Sequence, residues 1–350
     1  MKLLVISYYW PPAGGPGVQR WLKTALALQD QGHDVEVLTV DPKAATYPLK
    51  DMSLLKESES LTVHHSGATD WFKRYQQLTR RKEVPFSGFA NQAGTPGPLQ
   101  KLSRFIRGNC FLPDPRKGWN KQATALANKL LQSKDWDLII TTGPPHSTHL
   151  IGQTLQKTHG ITWWADFRDP WTDIYYYDQF YPTRWARRKD MAMEQSVLSQ
   201  ADRILCVSED LKRLLSSKVK RSSNDFHIMP NGYDPQDFSD AASQPSNEAF
   251  TLAYTGTLTL QYPLDALYKA IQGVIDASQA INLVIAGRPA KECVDQLQQM
   301  ARVSNGLFSF KALGYLPHAE SVKVLERADA LLLLIPDLPN NKGILTGKLF

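Results

Sequence analysis

The 350-residue sequence is poor in cysteine, with three (Cys110, Cys206 and Cys293) and no CxxC pair. Residues so far apart form no disulfide framework and no thiolate metal site, and three reduced thiols fit a cytoplasmic protein. No apolar run approaches the ~20 residues that span a bilayer. No secretory leader is expected, because Lys2 alone precedes the first apolar residues and no small-residue cleavage site follows. Short repeats and low-complexity tracts are also missing. What is present is 42% hydrophobic residues, which excludes global disorder. The length is too great for one ordinary domain and comfortable for two.

The formal charge is +6. It favours an anionic partner (nucleotide, nucleic acid or acidic lipid) or else simply gives a soluble basic surface. Basic residues bunch at Lys73, Arg74, Arg80, Arg81 and Lys82, at Lys101, Arg104, Arg107, Arg116 and Lys117, and at Arg184, Arg187, Arg188 and Lys189. Aromatics such as Trp71, Phe86, Phe105, Trp119 and Trp185 lie beside them. These bases are scattered over inserts and match no nucleic-acid module, so no nucleic acid is expected.

Short apolar runs alternate with helical patterns. Strands are predicted at Leu3–Ile6, Val35–Val40, Leu61–His65, Leu138–Thr142, Ile161–Ala165, Ile204–Val207 and Phe226–Met229. Helices are predicted near Val18–Gln31, Lys121–Gln132, Ser147–Thr158, Arg184–Gln200 and Glu209–Ser216. Continuous apolar strands between helices signal a parallel sheet covered on both faces. The polar stretch from Ser239 to Phe250 reads as a hinge. Strands at Leu252–Thr255, Ile281–Ala286, Phe308–Lys311 and Ala330–Ile335 follow, with helices near Leu264–Ala277, Lys291–Arg302 and Ser321–Arg327. The expectation is α/β: two tandem Rossmann-like, doubly wound domains, 1–238 with an insert at about 70–120, and 250–350.

Two nucleotide motifs fail on position. Gly15-Pro16-Gly17 is a G-x-G and Asp41 follows the second strand, but Arg20 occupies the third glycine position and the turn is too long for a dinucleotide loop. Asp41-Pro42 reads as a turn. Asp135-Trp136-Asp137 is a D-x-D, yet it precedes its strand and so lies at the amino end, away from the edge where such sheets bind ligands. Other unusual stretches follow strands: "TTGPPHSTH" with His146 and His149, "ADFRDPW" with Arg168, Asp169 and Trp171, "CVSED" with Ser208 as N-cap, "IMPNGYDPQDF", and "YTGTL" with Gly256.

These segments, with the Pro11–Arg20 loop, "QADRILCVS" and Gly343–Phe350, resemble the family-4 retaining glycosyltransferases of GT-B fold over essentially the whole chain. The resemblance implies an N-terminal acceptor domain and a C-terminal nucleotide-sugar domain facing a cleft. It implies metal-independent transfer, with no cofactor, to a lipid-linked or polysaccharide acceptor. Gly15 and Gly17, at the amino end of the first helix, would let backbone approach the donor diphosphate; Tyr8, Tyr9 and Trp10 would stack on the acceptor, on a loop long enough to reach across the cleft. His146 would contact the transferred sugar or acceptor. Asp169 would orient or deprotonate the acceptor hydroxyl, and Arg168, on the acceptor side, would hold phosphate or seal the domain. Gly256, Thr257 and Lys348 would hold the donor, with Lys348 stabilising the leaving diphosphate.

Two departures from the family pattern stand out. Many relatives carry an arginine just after the glycine of the second domain's first strand, where this chain has Thr257 and no base nearby. The first of the family's two glutamates would fall near Gly343, and the second past Phe350. The second domain is therefore expected to be truncated, with Ala330–Ile335 left as an exposed edge. A non-catalytic nucleotide- or sugar-binding protein stays open beside the enzyme, and a nicotinamide dehydrogenase is the third reading. In "PLQKLSRFIRG", Leu99, Leu102, Phe105 and Ile106 share one helical face, which suits either an anionic bilayer surface or packing on the sheet. Peripheral attachment to the inner face of a membrane is expected from the first of these.

Overall fold

The computed structural model describes residues 1–45, 47, 49–69, 97–238 and 249–335. The chain forms two compact units that divide at Asn231 and Gly232. The "YDPQDF" segment therefore goes with the second unit, although the sequence reading ends the first domain at 238. No helix among the described residues is long and apolar enough to cross a membrane.

The first unit is a seven-stranded parallel sheet. Its strands are β1 (Lys2–Ile6), β2 (Asp34–Val40), β3 (Thr62–Ser66), β4 (Leu138–Gly143), β5 (Trp163–Phe167), β6 (Arg203–Cys206) and β7 (Phe226–Ile228), in the order β3-β2-β1-β4-β5-β6-β7. Alternation along β1 sends Leu4 and Ile6 into one core cluster and Leu3 and Val5 into another, so both sheet faces are covered. The helices are α1 (Pro16–Asp30), α2 (Met52–Glu57), α3 (Pro98–Cys110), α4 (Asn120–Ser133), α5 (Ser147–His159), α6 (Arg184–Gln200) and α7 (Glu209–Ser216). Pro16 starts α1, where its missing N–H costs no hydrogen bond. Ser208 caps α7 by accepting from the Leu211 amide, as its position predicts.

The second unit is a four-stranded parallel sheet in the order β10-β9-β8-β11: β8 (Phe250–Leu258), β9 (Ile281–Pro289), β10 (Phe308–Gly314) and β11 (Ala330–Leu331). Its helices are α8 (Leu264–Asp276), α9 (Lys291–Val303) and α10 (His318–Glu326). The strand predicted over Ala330–Ile335 is ordered as strand only at its first two residues. Leu331, Leu333 and Ile335 are exposed there, while Leu332 and Leu334 pack on the core.

Both sheets wind outward from their first strand and then return to its other side. The switch point lies between β1 and β4 in one unit, and between β8 and β11 in the other. Open α/β sheets bind ligands beyond the carboxyl ends of the strands at such points.

Candidate active site

The first switch point gathers the loop after β1, the "GPPH" turn after β4 and the "RDPW" turn after β5. Asp166, near the end of β5, holds them together. Its fully buried carboxylate accepts from Arg20 Nη1 at 2.8 and 2.7 Å, from Trp21 Nε1 at 2.6 Å and from Thr142 Oγ1 at 2.8 Å. Arg20 also donates to the Met229 carbonyl at 2.7 Å. The arginine in the third glycine position thus packs α1 on the sheet through a buried ion pair rather than by close backbone contact. The sequence singled out neither Asp166 nor this use of Arg20.

Arg168 is fixed against the same turn. Its Nε and Nη2 donate to the carbonyls of Gly143 (3.3 Å) and Pro144 (2.9 Å). Its Nη1 stands where a Cβ on Gly17 would be, 1.4 Å from that point, so only glycine at 17 admits the guanidinium. Gly15, at the N-cap of α1, has φ 109°, which favours glycine. Asp169 is half-buried and beside Arg168; burial raises its pKa, opposed by Arg168 and reinforced by Asp166.

His146 stacks on Trp171, with ring centroids 5.0 Å apart and planes within 6°. Burial, with His149 and Arg168 close by, pushes its pKa well below the usual imidazole value, so it is neutral. Trp171 is in turn held by Asp190 on α6, whose Oδ1 accepts from the indole at 2.8 Å and Oδ2 from the Tyr177 hydroxyl at 2.9 Å. Burial raises Asp190 to about 6. Glu194, one turn on, accepts from Thr172 (2.5 Å) and Lys218 (2.7 Å). The start of α5 is fastened from below by Asp114, which accepts from the Ser147 amide and hydroxyl, both at 2.8 Å. His149 is core: it is fully buried, stacked on Phe167 at 4.5 Å and bonded to Thr141 Oγ1 at 2.9 Å. A Cβ on Gly143 would sit 2.6 Å from His149 Nε2 and 3.0 Å from His146 Nδ1, so the end of β4 must be glycine.

The loop after β1 corrects one expectation. Tyr8 and Trp10 are each 1% exposed and enter core clusters on opposite faces of the sheet, so neither ring can stack on an acceptor. The loop's length is spent on that double burial. It is tied to its own unit by Gly14 N–H to Leu49 O (3.1 Å) and Asp51 N–H to Pro12 O (2.9 Å), which replaces the expected reach outward. Tyr9 is partly buried, with its hydroxyl 3.4 Å from Arg116 Nε. The D-x-D is a turn as predicted: Asp137 accepts from the Lys2 amide at 2.6 Å, and Trp136 donates to Leu130 O.

In the second unit, Gly256 (φ 116°) and Gly287 (φ 147°) are paired where β8 and β9 end; a Cβ on Gly287 would lie 1.9 Å from Gly256 O. The next pair is Thr257 with Arg288. The expectation of no base near Thr257 is therefore corrected, because the base arrives from the neighbouring strand. Lys348 lies outside the described residues, as do Lys73, Arg74 and Arg80–Lys82.

Two doubly wound α/β units in tandem, each with glycine-bearing strand ends at its switch point, define the GT-B class of glycosyltransferases. Solved structures of this class are similar in fold to the chain. Sucrose-phosphate synthase from Thermosynechococcus elongatus superposes with TM-score 0.53 at 14% identity, over 95% of this chain and 75% of that one. HepE from Anabaena in complex with UDP gives 0.51 at 13%, over 95% and 73%. The catalytic domain of starch synthase IV from Arabidopsis thaliana, bound to ADP and acarbose, gives 0.54 at 12%, over 94% and 77%. The glycosyl transferase 4-like domain model matches residues 14–232. The chain belongs to that family and is a glycosyltransferase. No curated protein sequence matches it.

Proposed function

We propose that the protein moves a sugar from a nucleotide-sugar donor to a lipid-linked or saccharide acceptor, with retention of anomeric configuration and without a metal ion. The observation that carries this reading is the meeting of Arg168, Asp169, His146 and the Gly15–Gly17 helix start at one switch point. Departure of a nucleoside diphosphate builds negative charge. A guanidinium held by two carbonyls and a helix amino end can offset it without reorganising. The neutral His146 offers a hydrogen bond to a sugar hydroxyl. Asp169, with its raised pKa, is a better base toward an acceptor hydroxyl than an ordinary carboxylate. Tyr9 is an acceptor contact of this reading, and Arg168 stands between the acceptor and the departing diphosphate; Gly256, Thr257 and Lys348 bind the donor. UDP and ADP in two structures of similar fold support a nucleotide donor.

Attachment to an anionic membrane surface, at the inner face of a cell membrane, is part of the same reading. Helix α3 is docked by its basic side. Arg104 is buried, Arg107 donates to Phe111 O, and Gly108 meets Phe180. Leu102, Phe105 and Ile106 stay 53, 43 and 41% exposed. The alternative of packing this face on the sheet does not fit that exposure.

The test is nucleoside diphosphate release from a UDP-, GDP- and ADP-sugar panel, with membrane lipid extract and oligosaccharides as acceptors, in excess chelator. Release with an acceptor-dependent, retained product by NMR is the expected result. Binding of donor without any release would favour the non-catalytic alternative, and strict dependence on added Mn²⁺ or Mg²⁺ would overturn metal independence.

A further inference from the structure

We infer that Arg288, delivered by β9 to a position beside Thr257, is the residue that clamps the diphosphate of the donor in the second unit. The inference rests on the reading that this unit binds a nucleotide sugar. The argument begins at the switch point between β8 and β11, where the sheet topology puts a ligand beyond the strand ends. β8 borders that point, and its last residues are Gly256, Thr257 and Leu258. Two features prepare the edge for an anion. Gly256 and Gly287 both take positive φ and approach so closely that no Cβ fits on Gly287, which leaves bare backbone at the rim. One residue further, the parallel register pairs Thr257 with Arg288. Paired residues of neighbouring strands present their side chains on the same face of the sheet, so a hydroxyl and a guanidinium stand together there.

The charges nearby single out Arg288. Lys291 is engaged by Asp295 at 2.5 Å, and His318 by Asp237 at 2.9 Å. Arg288 is exposed and makes no hydrogen bond or ion pair among the described residues. A guanidinium presents a planar fork that matches two phosphate oxygens at once, which an ammonium does not. An exposed arginine beside a hydroxyl and a glycine-lined rim is therefore suited to a diphosphate rather than to a neutral sugar.

The test is calorimetric titration of the full chain with UDP, GDP and ADP, with the matching nucleosides, and with inorganic pyrophosphate. Wild type should bind at least one diphosphate. Arg288→Ala should weaken that diphosphate and pyrophosphate by about ten- to a hundred-fold, the range of a charge-assisted bond. It should leave the matching nucleoside and the melting temperature unchanged, because the side chain is exposed and has no partner among the described residues. Arg288→Lys should recover part of the loss, and Lys291→Ala should lose little. Equal diphosphate binding by Arg288→Ala and wild type would overturn the assignment and leave the proposed function standing, as would an equal loss in Lys291→Ala, which would reveal diffuse charge. Failure of wild type to bind any diphosphate would instead overturn the proposed function, and this assignment with it.

Discussion

At the scale of single residues, the first unit depends on groups whose partners are distant in sequence. Asp166 and Arg20 are 146 positions apart, and the pair is buried. Removing one member leaves the other as an uncompensated buried charge, so Asp166→Ala should cost about 3–5 kcal/mol in urea unfolding. The Gly17→Ala methyl would fall on Arg168 Nη1, and we expect sugar transfer to drop by at least about ten-fold, the effect of one charge-assisted bond. Its melting temperature should move little, since Arg168 lies at the rim of the sheet. His149 gives a pH test. Burial, with Arg168 adding to it, lowers its pKa to about 3, against ~6.5 in an unfolded chain. Below pH ~6.5 the unfolded chain takes up a proton that the folded chain refuses, so this group's contribution to stability falls down to about pH 3. Its slope approaches ~1.4 kcal/mol per pH unit. Asp190 works the other way: raised to about 6, it adds stability as pH falls from there toward ~3.9. His149→Phe should therefore gain stability relative to wild type as the buffer is taken from pH 7 to pH 4. A constant difference over that range would show that His149 titrates normally in the fold.

At the scale of elements, strand and helix positions were readable because each is a continuous apolar run or a helical period bounded by turn residues. Arg184–Gln200 and Glu209–Ser216 fold within the predicted limits. Helix α2 was not readable, because six residues carry too little periodicity to stand out from the polar run around them; Asp51 caps it by accepting from the Ser53 amide. Strand length is a tertiary property, which is why β11 stops at Leu331 although apolar residues continue. The candidate site was readable where strand ends carry glycine, proline or charge, as at His146, Arg168 and Asp169. Asp114, Asp166, Asp190, Glu194 and Arg288 were not, since each gains its place from a partner that only the folded sheet brings near. For α3 the pattern showed an amphipathic helix but not which face is free. The exposed face makes a clear prediction: Phe105→Asp with Ile106→Asp should abolish binding to vesicles containing anionic lipid and leave the melting temperature within about 2 °C, because exposed positions cost little to change. Gly108→Ala should behave in the opposite sense. Its methyl would lie 2.3 Å from the Phe180 carbonyl, so α3 must shift and stability should fall by about 1–3 kcal/mol, as for overpacking.

At the scale of the whole molecule, each unit has its own core and sheet. Seven strands covered on both faces bury more apolar surface than four, so scanning calorimetry should show two transitions, with the second unit melting first. A single sharp transition would mean that the cores are coupled. The division into two α/β units could be read from the length and from the two series of strands and helices on either side of the polar Ser239–Phe250 stretch. The boundary could not, because Asn231 and Gly232 sit inside a motif that looked continuous. Among the described residues, each sheet is built from the strands of its own unit. In engineering terms, each sheet is a separate module that a swap at residue 231 would leave whole. If the proposed division of labour holds, a chimaera that keeps residues 1–231 and takes its second half from a relative with a different nucleotide should change the donor base it accepts while keeping its acceptor.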